Sequence, residues 1–134
     1  MQRARITDRS KGASSIELAL YTPILFLVIF GIVQFALSWH ANQIASATAR
    51  ETARVVRIAG GGLDAVGPAT QHGQAYAAQV GGSAFTDVDI AIQLIGDDQV
   101  RVTVAGRSLE VVRGLAPTVS QTVQGPLEQF RPDL

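Results

Sequence analysis

The sequence of 134 residues contains no cysteine. This absence excludes a disulfide framework, thiol catalysis and thiolate metal sites. Aromatic residues make up only 6% of the chain, and between Leu63 and Leu134 four arginines stand against eight acidic residues. Nucleic-acid binding requires a positive stripe with stacking platforms, so this class of partner is discarded. Charge is also missing from one long stretch near the N-terminus.

The uncharged stretch extends from Leu18 to Trp39 and reads LALYTPILFLVIFGIVQFALSW. As a helix it would be about 33 Å long at ~1.5 Å per residue, which is enough to span the hydrocarbon core of a bilayer. A buried helix of a soluble protein is the simpler alternative, but so small a domain can hardly cover a helix that is apolar on every face. We therefore predict a single-pass membrane anchor that begins at Leu18, contains Pro23 and is closed by an interfacial Trp39.

The residues before the anchor are basic, with Arg3, Arg5, Arg9 and Lys11 against Asp8. The positive-inside rule therefore predicts a cytoplasmic N-terminus and an extracytoplasmic C-terminal domain. A cleaved secretory signal is a competing explanation, because the small residues around Ala47 resemble a cleavage site. The apolar core is longer than the ~15 residues of such signals, which favours the anchor.

A lone carboxylate, Glu17, stands at the mouth of the anchor. Ser14 and Glu17 have the S-x-x-E spacing of a capping box, in which Glu17 would accept hydrogen bonds from orphan N–H groups at a helix start. Alternatively, cleavage after Gly12 would give Ala13 a new ammonium group one helical turn from Glu17. The two charges would then pair within one chain or between neighbours. Both interpretations stay open at this point.

The string G-A-S-S-I-E-L before a long apolar run resembles the class III signal of type IV prepilins. In these proteins a prepilin peptidase cuts after the glycine, and a glutamate is fifth in the mature chain, as Gly12 and Glu17 would be placed. The longer pattern, with Pro23 inside the anchor and a closing A-R-E-T-A-R stretch that ends at Arg54, resembles the TadE-like family. Its members are the pseudopilins of tight-adherence (Flp) pilus systems. Leu18 departs from the short major Flp pilins, which carry an aromatic residue beside the glutamate.

The resemblance implies a pseudopilin-like accessory subunit of a tight-adherence (Flp, type IVb) pilus or related secretion system, processed after Gly12. The partners it implies are other pilins and pseudopilins, the prepilin peptidase and the inner-membrane assembly platform, together with membrane lipid. The location it implies is the cytoplasmic (inner) membrane. The alternative is a single-pass membrane-anchored interaction module with an extracytoplasmic binding domain. A third hypothesis is a secreted domain released near Ala47.

Beyond the anchor, helical character is expected to continue from His40 to about Ile58, because this segment has no proline or glycine before Gly60. Arginines 50, 54 and 57 share one helix face. This face would dock an acidic partner or lipid headgroups, or else it is a solvated side on which Glu51 pairs with Arg54. We prefer the second interpretation.

The remaining residues predict a small extracytoplasmic domain. A short helix is expected from about Pro68 to Val80, after a hinge at residues 60–67. Alternating apolar residues on both sides of Gly96-Asp97-Asp98 predict a β-hairpin, and Thr118 to Gln124 predicts a third strand. The predicted fold class is α+β: a leader at residues 1–12, a transmembrane and stalk helix at 13–59, and at 60–134 a domain with a short helix and a two- to three-stranded antiparallel sheet.

No constellation of catalytic groups emerges from the sequence. Asp87, Asp89 and the Asp97-Asp98 pair are its densest carboxylates, but they lack a calcium-loop pattern or a partner histidine. His40 and His72 are isolated and are expected to be surface or interface residues. We therefore expect no enzyme, no metal and no cofactor.

Overall fold

The computed structural model describes residues 9–127. Helices precede strands throughout this part of the chain, and the strands form one sheet. The elements in chain order are α1 (Arg9–Ile58), α2 (Leu63–Gly81), a short 3-10 helix (Gly82–Ala84), β1 (Phe85–Ile95), β2 (Gln99–Ser108) and β3 (Thr118–Pro126). The predicted α+β class, with a long N-terminal helix followed by a short helix and a three-stranded antiparallel sheet, is confirmed.

Helix α1 contains 50 residues, which corresponds to a length of about 75 Å. It joins the predicted anchor and the predicted stalk without interruption and begins at Arg9, four residues before the predicted start at Ala13. Residues 1–8 of the predicted leader lie outside the described residues.

A Schellman motif ends α1. The N–H of Gly61 donates to the carbonyl of Val56 (3.0 Å), and the N–H of Gly60 donates to the carbonyl of Arg57 (3.1 Å). Gly60 has a φ of 83°, a conformation in which a side chain is strained. The segment between the helices is shorter than the hinge predicted at residues 60–67, because α2 already begins at Leu63.

Helix α2 begins five residues before the predicted start at Pro68. Pro68 lies inside the helix and removes one backbone donor near its start. The helix nevertheless extends N-terminally because Ala65 belongs to the same buried stripe as the residues that follow. That stripe comprises Ala65, Ala69, Gly73, Ala77 and Gly81.

Gly73 lies in the interior of α2, although glycine is a poor helix former, and the structure gives a packing reason. A Cβ at this position would lie 2.3 Å from Oγ1 of Thr52 in α1 and 2.7 Å from Cδ1 of Ile90 in β1. Gly73 thus lets α2 approach α1 and the sheet more closely than any other residue would allow.

The three strands form an antiparallel meander in the order β1-β2-β3. Residues 96–98 form the turn between β1 and β2, and this predicted hairpin is confirmed with Ile90 opposite Val104. The third strand, predicted to end at Gln124, extends to Pro126. One face of β2 is fully buried through Val100, Val102 and Val104, which pack in the core shared with α1 and α2.

Candidate functional site

The N-terminal part of α1 is not covered by the rest of the described structure. From Ser14 to Val33 every side chain is exposed except the half-buried Thr22. These 20 residues correspond to about 30 Å of helix, the thickness of a bilayer hydrocarbon core. The 18-residue apolar window of the helix has a mean hydropathy of 2.3, and none of it is buried. A long, apolar and uncovered helix indicates a single-pass membrane anchor.

The residues predicted to mark the anchor all lie along this helix. Leu18 is 69% exposed and Trp39 is 60% exposed, while Pro23 lies inside the helix near the middle of the uncovered segment. Beside Pro23, the hydroxyl of Thr22 donates a hydrogen bond to the carbonyl of Leu18 (2.6 Å). This polar group is therefore satisfied within the helix, as a hydrocarbon environment requires.

The predicted processing site lies in the first turns of α1. Gly12 and Ala13 both have helical backbone, and Ala13 precedes Glu17 by one turn, or about 6 Å along the axis. Cleavage after Gly12 would therefore place the new ammonium group one helical turn from Glu17. The cleavage itself stays a prediction.

The capping-box interpretation of Ser14 and Glu17 is wrong for the helix of the uncleaved chain. A capping side chain bonds the orphan N–H groups of the first turn. Because α1 begins at Arg9, Ser14 lies beyond that turn, and the first turn contains no acidic residue. Glu17 instead lies exposed between Ile16 and Leu18, and none of the described side chains forms an ion pair with it.

Gln34 marks the outer end of the uncovered segment. It is 8% exposed, although its neighbours Val33 and Phe35 are 40% and 70% exposed. Its amide Nε2 donates to the carbonyl of Leu109 (3.2 Å), and its Oε1 accepts from the N–H of Val111 (3.2 Å). Gln34 thereby ties the anchor to the loop between β2 and β3, residues 109–117.

Further along α1, the predicted pair of Glu51 and Arg54 is confirmed. The guanidinium donates to both carboxylate oxygens, with distances of 3.0 and 2.8 Å. His72 of α2 lies 3.1 Å from the same carboxylate, which makes it a contact between the two helices. Hydrogen bonds from Arg54 and His72 lower the pKa of Glu51 to about 2. Glu51 is therefore ionised and forms a solvent-accessible ion pair with Arg54. The helix face that carries Arg50, Arg54 and Arg57 is for this reason not uniformly basic.

The Ala47 release hypothesis conflicts with the core of the domain. Ala41 and Ala45 are completely buried, and Ile44 is 3% exposed. Cleavage near Ala47 would separate these side chains from the sheet and α2, against which they pack. The part of α1 before Ala47 is thus both the end of the anchor and a component of the folded domain.

A family model matches the anchor and the first part of the stalk. Residues 12–54 match the model of TadE-like protein. Over this segment the chain is similar to the TadE-like family. The match confirms the predicted resemblance, begins at Gly12 and includes Glu17, Pro23 and the Glu51–Arg54 pair. It covers about a third of the chain and leaves α2 and the sheet outside the TadE-like segment. Comparisons with curated proteins and with solved structures give no match.

Sequence reasoning missed Gln34 and the 109–117 loop. Gln34 carries the only amide side chain in the 22-residue uncharged run, and this feature of the sequence could have indicated a contact at Gln34. Polar side chains within membrane helices are expensive unless they are paired, so an isolated glutamine predicts a partner. The sequence does not identify that partner, because the loop follows 75 residues later.

Proposed function

We propose that this chain is a pseudopilin-like accessory subunit of a tight-adherence (Flp, type IVb) pilus or a related secretion system. Helix α1 anchors it in the cytoplasmic membrane with the N-terminus in the cytoplasm, and the α+β domain lies outside. The observation that carries the proposal is the TadE-like match, which begins at Gly12 and contains Glu17. The family indicates a Tad/Flp pilus-associated protein, and the pseudopilin role is inferred from the residues at the start of the anchor.

The exposed carboxylate of Glu17 supports an assembly role for the helix. A charge in an apolar environment requires a partner, and the described part of the chain provides no ion-pair partner for Glu17. A prepilin peptidase that cuts after Gly12 would create one, at Ala13 of this chain or of an adjacent pilin. Assembly would then bring uncovered helices together and neutralise the buried carboxylates in the same step.

Processing is tested by intact-mass spectrometry of the full-length protein extracted from the membranes of its own cell. We expect a mature chain that begins at Ala13 when the prepilin peptidase is active, and a chain that retains the leader when the peptidase is inactivated. A leader that persists in both strains would defeat the processing step.

The assembly role is tested by Glu17→Ala, with Ile16→Ala as the matched control. Both positions are exposed on the same turn, but only Glu17 carries a charge. We expect Glu17→Ala to abolish pilus assembly while membrane insertion is retained, and Ile16→Ala to preserve both. Normal assembly with Glu17→Ala would instead favour the alternative, a membrane-anchored interaction module whose extracytoplasmic domain binds a partner.

A further inference from the structure

We propose that the loop at residues 109–117 is a second membrane-contacting element, whose apolar side chains enter the outer part of the bilayer beside the anchor. This inference rests on the membrane anchoring in the proposed function. The loop joins β2 to β3 and belongs to the extracytoplasmic domain. It nevertheless contacts α1 within the uncharged run, through the two hydrogen bonds of Gln34.

The depth of the contact follows from helix geometry. Gln34 precedes Trp39 by five residues, or about 8 Å along the axis, and Leu27 precedes Trp39 by about 18 Å. A cavity of about 430 Å³ opens between the helix and the loop at this level. Its lining is almost entirely apolar and comprises Leu27, Phe30, Gly31, Gln34, Val112 and Leu115. If Trp39 lies at the interface, the cavity therefore opens into the acyl chains of the outer leaflet.

The loop exposes the side chains that such a position favours. Leu109 is 41% exposed, Val111 is 43% exposed and Leu115 is 60% exposed. A cluster of large apolar side chains at the surface marks an interaction site. Lipid is the occupant that continuity with the uncovered anchor favours, because the same acyl chains that surround Leu27 and Phe30 would reach Leu115 across the cavity.

Part of the loop backbone is paired within the protein, which favours an apolar environment, where unpaired N–H groups are expensive. The N–H of Leu109 donates to the carbonyl of Ala84 (3.2 Å), and that of Leu115 donates to the carbonyl of Val112 (3.0 Å). Val111 donates to Gln34, and Gly114 donates to the carboxylate of Glu110. Pro117 has no N–H to satisfy.

The charged residues of the loop are compatible with this depth. Arg113 and Glu110 are both exposed. Long cationic side chains extend their charge toward the headgroup level while the aliphatic stem stays in the apolar region. Glu110 uses its carboxylate to hold the backbone of Gly114. The loop would thus lie at the boundary of the hydrocarbon region, with its apolar side chains directed inward.

The absence of cysteine allows a direct test, because a single introduced thiol is labelled uniquely. Three variants of the full chain, Leu115→Cys, Ile24→Cys and Leu63→Cys, are labelled with an environment-sensitive fluorophore and reconstituted in phosphatidylcholine–phosphatidylglycerol vesicles. Ile24 reports the anchor. Leu63, 82% exposed, reports an apolar site at the start of α2, just after the end of α1, which lies about 36 Å along the helix axis beyond Gln34. Quenching by acyl-chain nitroxide lipids is compared with quenching by aqueous iodide.

We expect the labels at Leu115 and Ile24 to show a lipid-to-iodide quenching ratio several-fold higher than the label at Leu63. A Leu115 label that iodide reaches as readily as Leu63 would overturn the proposal. Protection of Leu115 from both quenchers would also overturn it, because protein would then cover the loop. If the Ile24 label itself stayed in water, the anchor of the proposed function would fail, and the result would be distinguishable from a failure of the loop alone.

The role of Gln34 is tested in the labelled Leu115→Cys background. Gln34→Leu removes both hydrogen bonds to the loop, whereas Gln43→Leu changes an exposed glutamine elsewhere on α1. We expect the lipid quenching of the Leu115 label to fall several-fold in the first variant and to stay unchanged in the second. Equal quenching in the two variants would show that Gln34 does not position the loop.

Discussion

The two halves of α1 belong to one continuous helix but use different side chains for different surroundings. Between Ser14 and Val33 the helix presents large apolar side chains that nothing in the described structure covers. Beyond Gln34 its contact faces are built mainly from small residues, in two rows with a spacing of four. One row is Ala41, Ala45, Ala49 and Ala53, and the other is Ile44, Thr48, Thr52 and Val56.

This difference separates two physical tasks. Large side chains in the first half supply the hydrophobicity that holds a helix in lipid. Small side chains in the second half let α2 and the sheet approach the helix axis closely, so that the domain packs at high density. A hydropathy profile therefore detects the membrane-spanning half of α1 but gives only a weak signal for the half that packs against α2 and the sheet.

The largest expected effect falls on the first half of the helix. Leu25→Arg places a charge near the middle of the uncovered segment, whereas Leu63→Arg places the same charge at an exposed position outside it. We expect Leu25→Arg to oppose insertion by about 2.5–3.5 kcal/mol and Leu63→Arg to leave insertion unchanged. The measurement is the fraction of full-length chain that becomes membrane-integrated during synthesis with membrane vesicles. Equal insertion of the two variants would contradict the assignment of the anchor.

A smaller effect is expected in the second half of α1, which packs against α2 and the sheet. In Gly73→Ala the new methyl group would overlap Thr52 and Ile90, and we expect a destabilisation of about 1–3 kcal/mol. Gln74→Ala, at the next position of the same helix, is the control, because this side chain is exposed. Alanine is a slightly better helix former than glutamine, so the control is expected to be close to neutral. Denaturant unfolding in detergent, followed by circular dichroism, measures both; equal shifts would contradict the close approach at Gly73.

The same comparison explains which parts of the fold were predictable. Helix α1 and the hairpin have uninterrupted local patterns, namely a run without charge or breakers and an alternation around Gly96-Asp97-Asp98. The predicted start of α2 was wrong because Pro68 is a strong local signal for the beginning of a helix. The burial of Ala65, which extends the helix beyond it, is a tertiary effect.

The candidate site divides in a similar way. Gly12, Glu17 and Pro23 were identified through a pattern that is contiguous in sequence, and the family match includes all three. The pairing of Gln34 with the 109–117 loop connects segments 75 residues apart and depends on how β2 and β3 cross the helix. Such a contact has no local signature, and the capping box was a local signature that the actual start of α1 overrules.

The smallest expected effect concerns Glu51, in the second half of α1, where this helix contacts α2. Its pKa is lowered in the folded protein to about 2 from 4.5, first by the hydrogen bond from Arg54 and then by that from His72. Because the folded pKa lies below the unfolded one, the ionised carboxylate stabilises the fold above pH ~4.5. This contribution is lost as the pH falls through the interval toward about 2. The partners are largely solvent-exposed, so the effect is expected to be small.

Glu51→Gln removes this dependence, whereas Glu110→Gln changes a carboxylate outside the α1–α2 contact. Unfolding free energies measured between pH 6 and pH 2.5 should therefore fall less steeply in Glu51→Gln than in the unmodified chain, while Glu110→Gln should follow the unmodified chain. An identical slope in Glu51→Gln would mean that the contact of the stalk with α2 relies on the buried small residues alone, and that the ion pair beside them contributes nothing measurable.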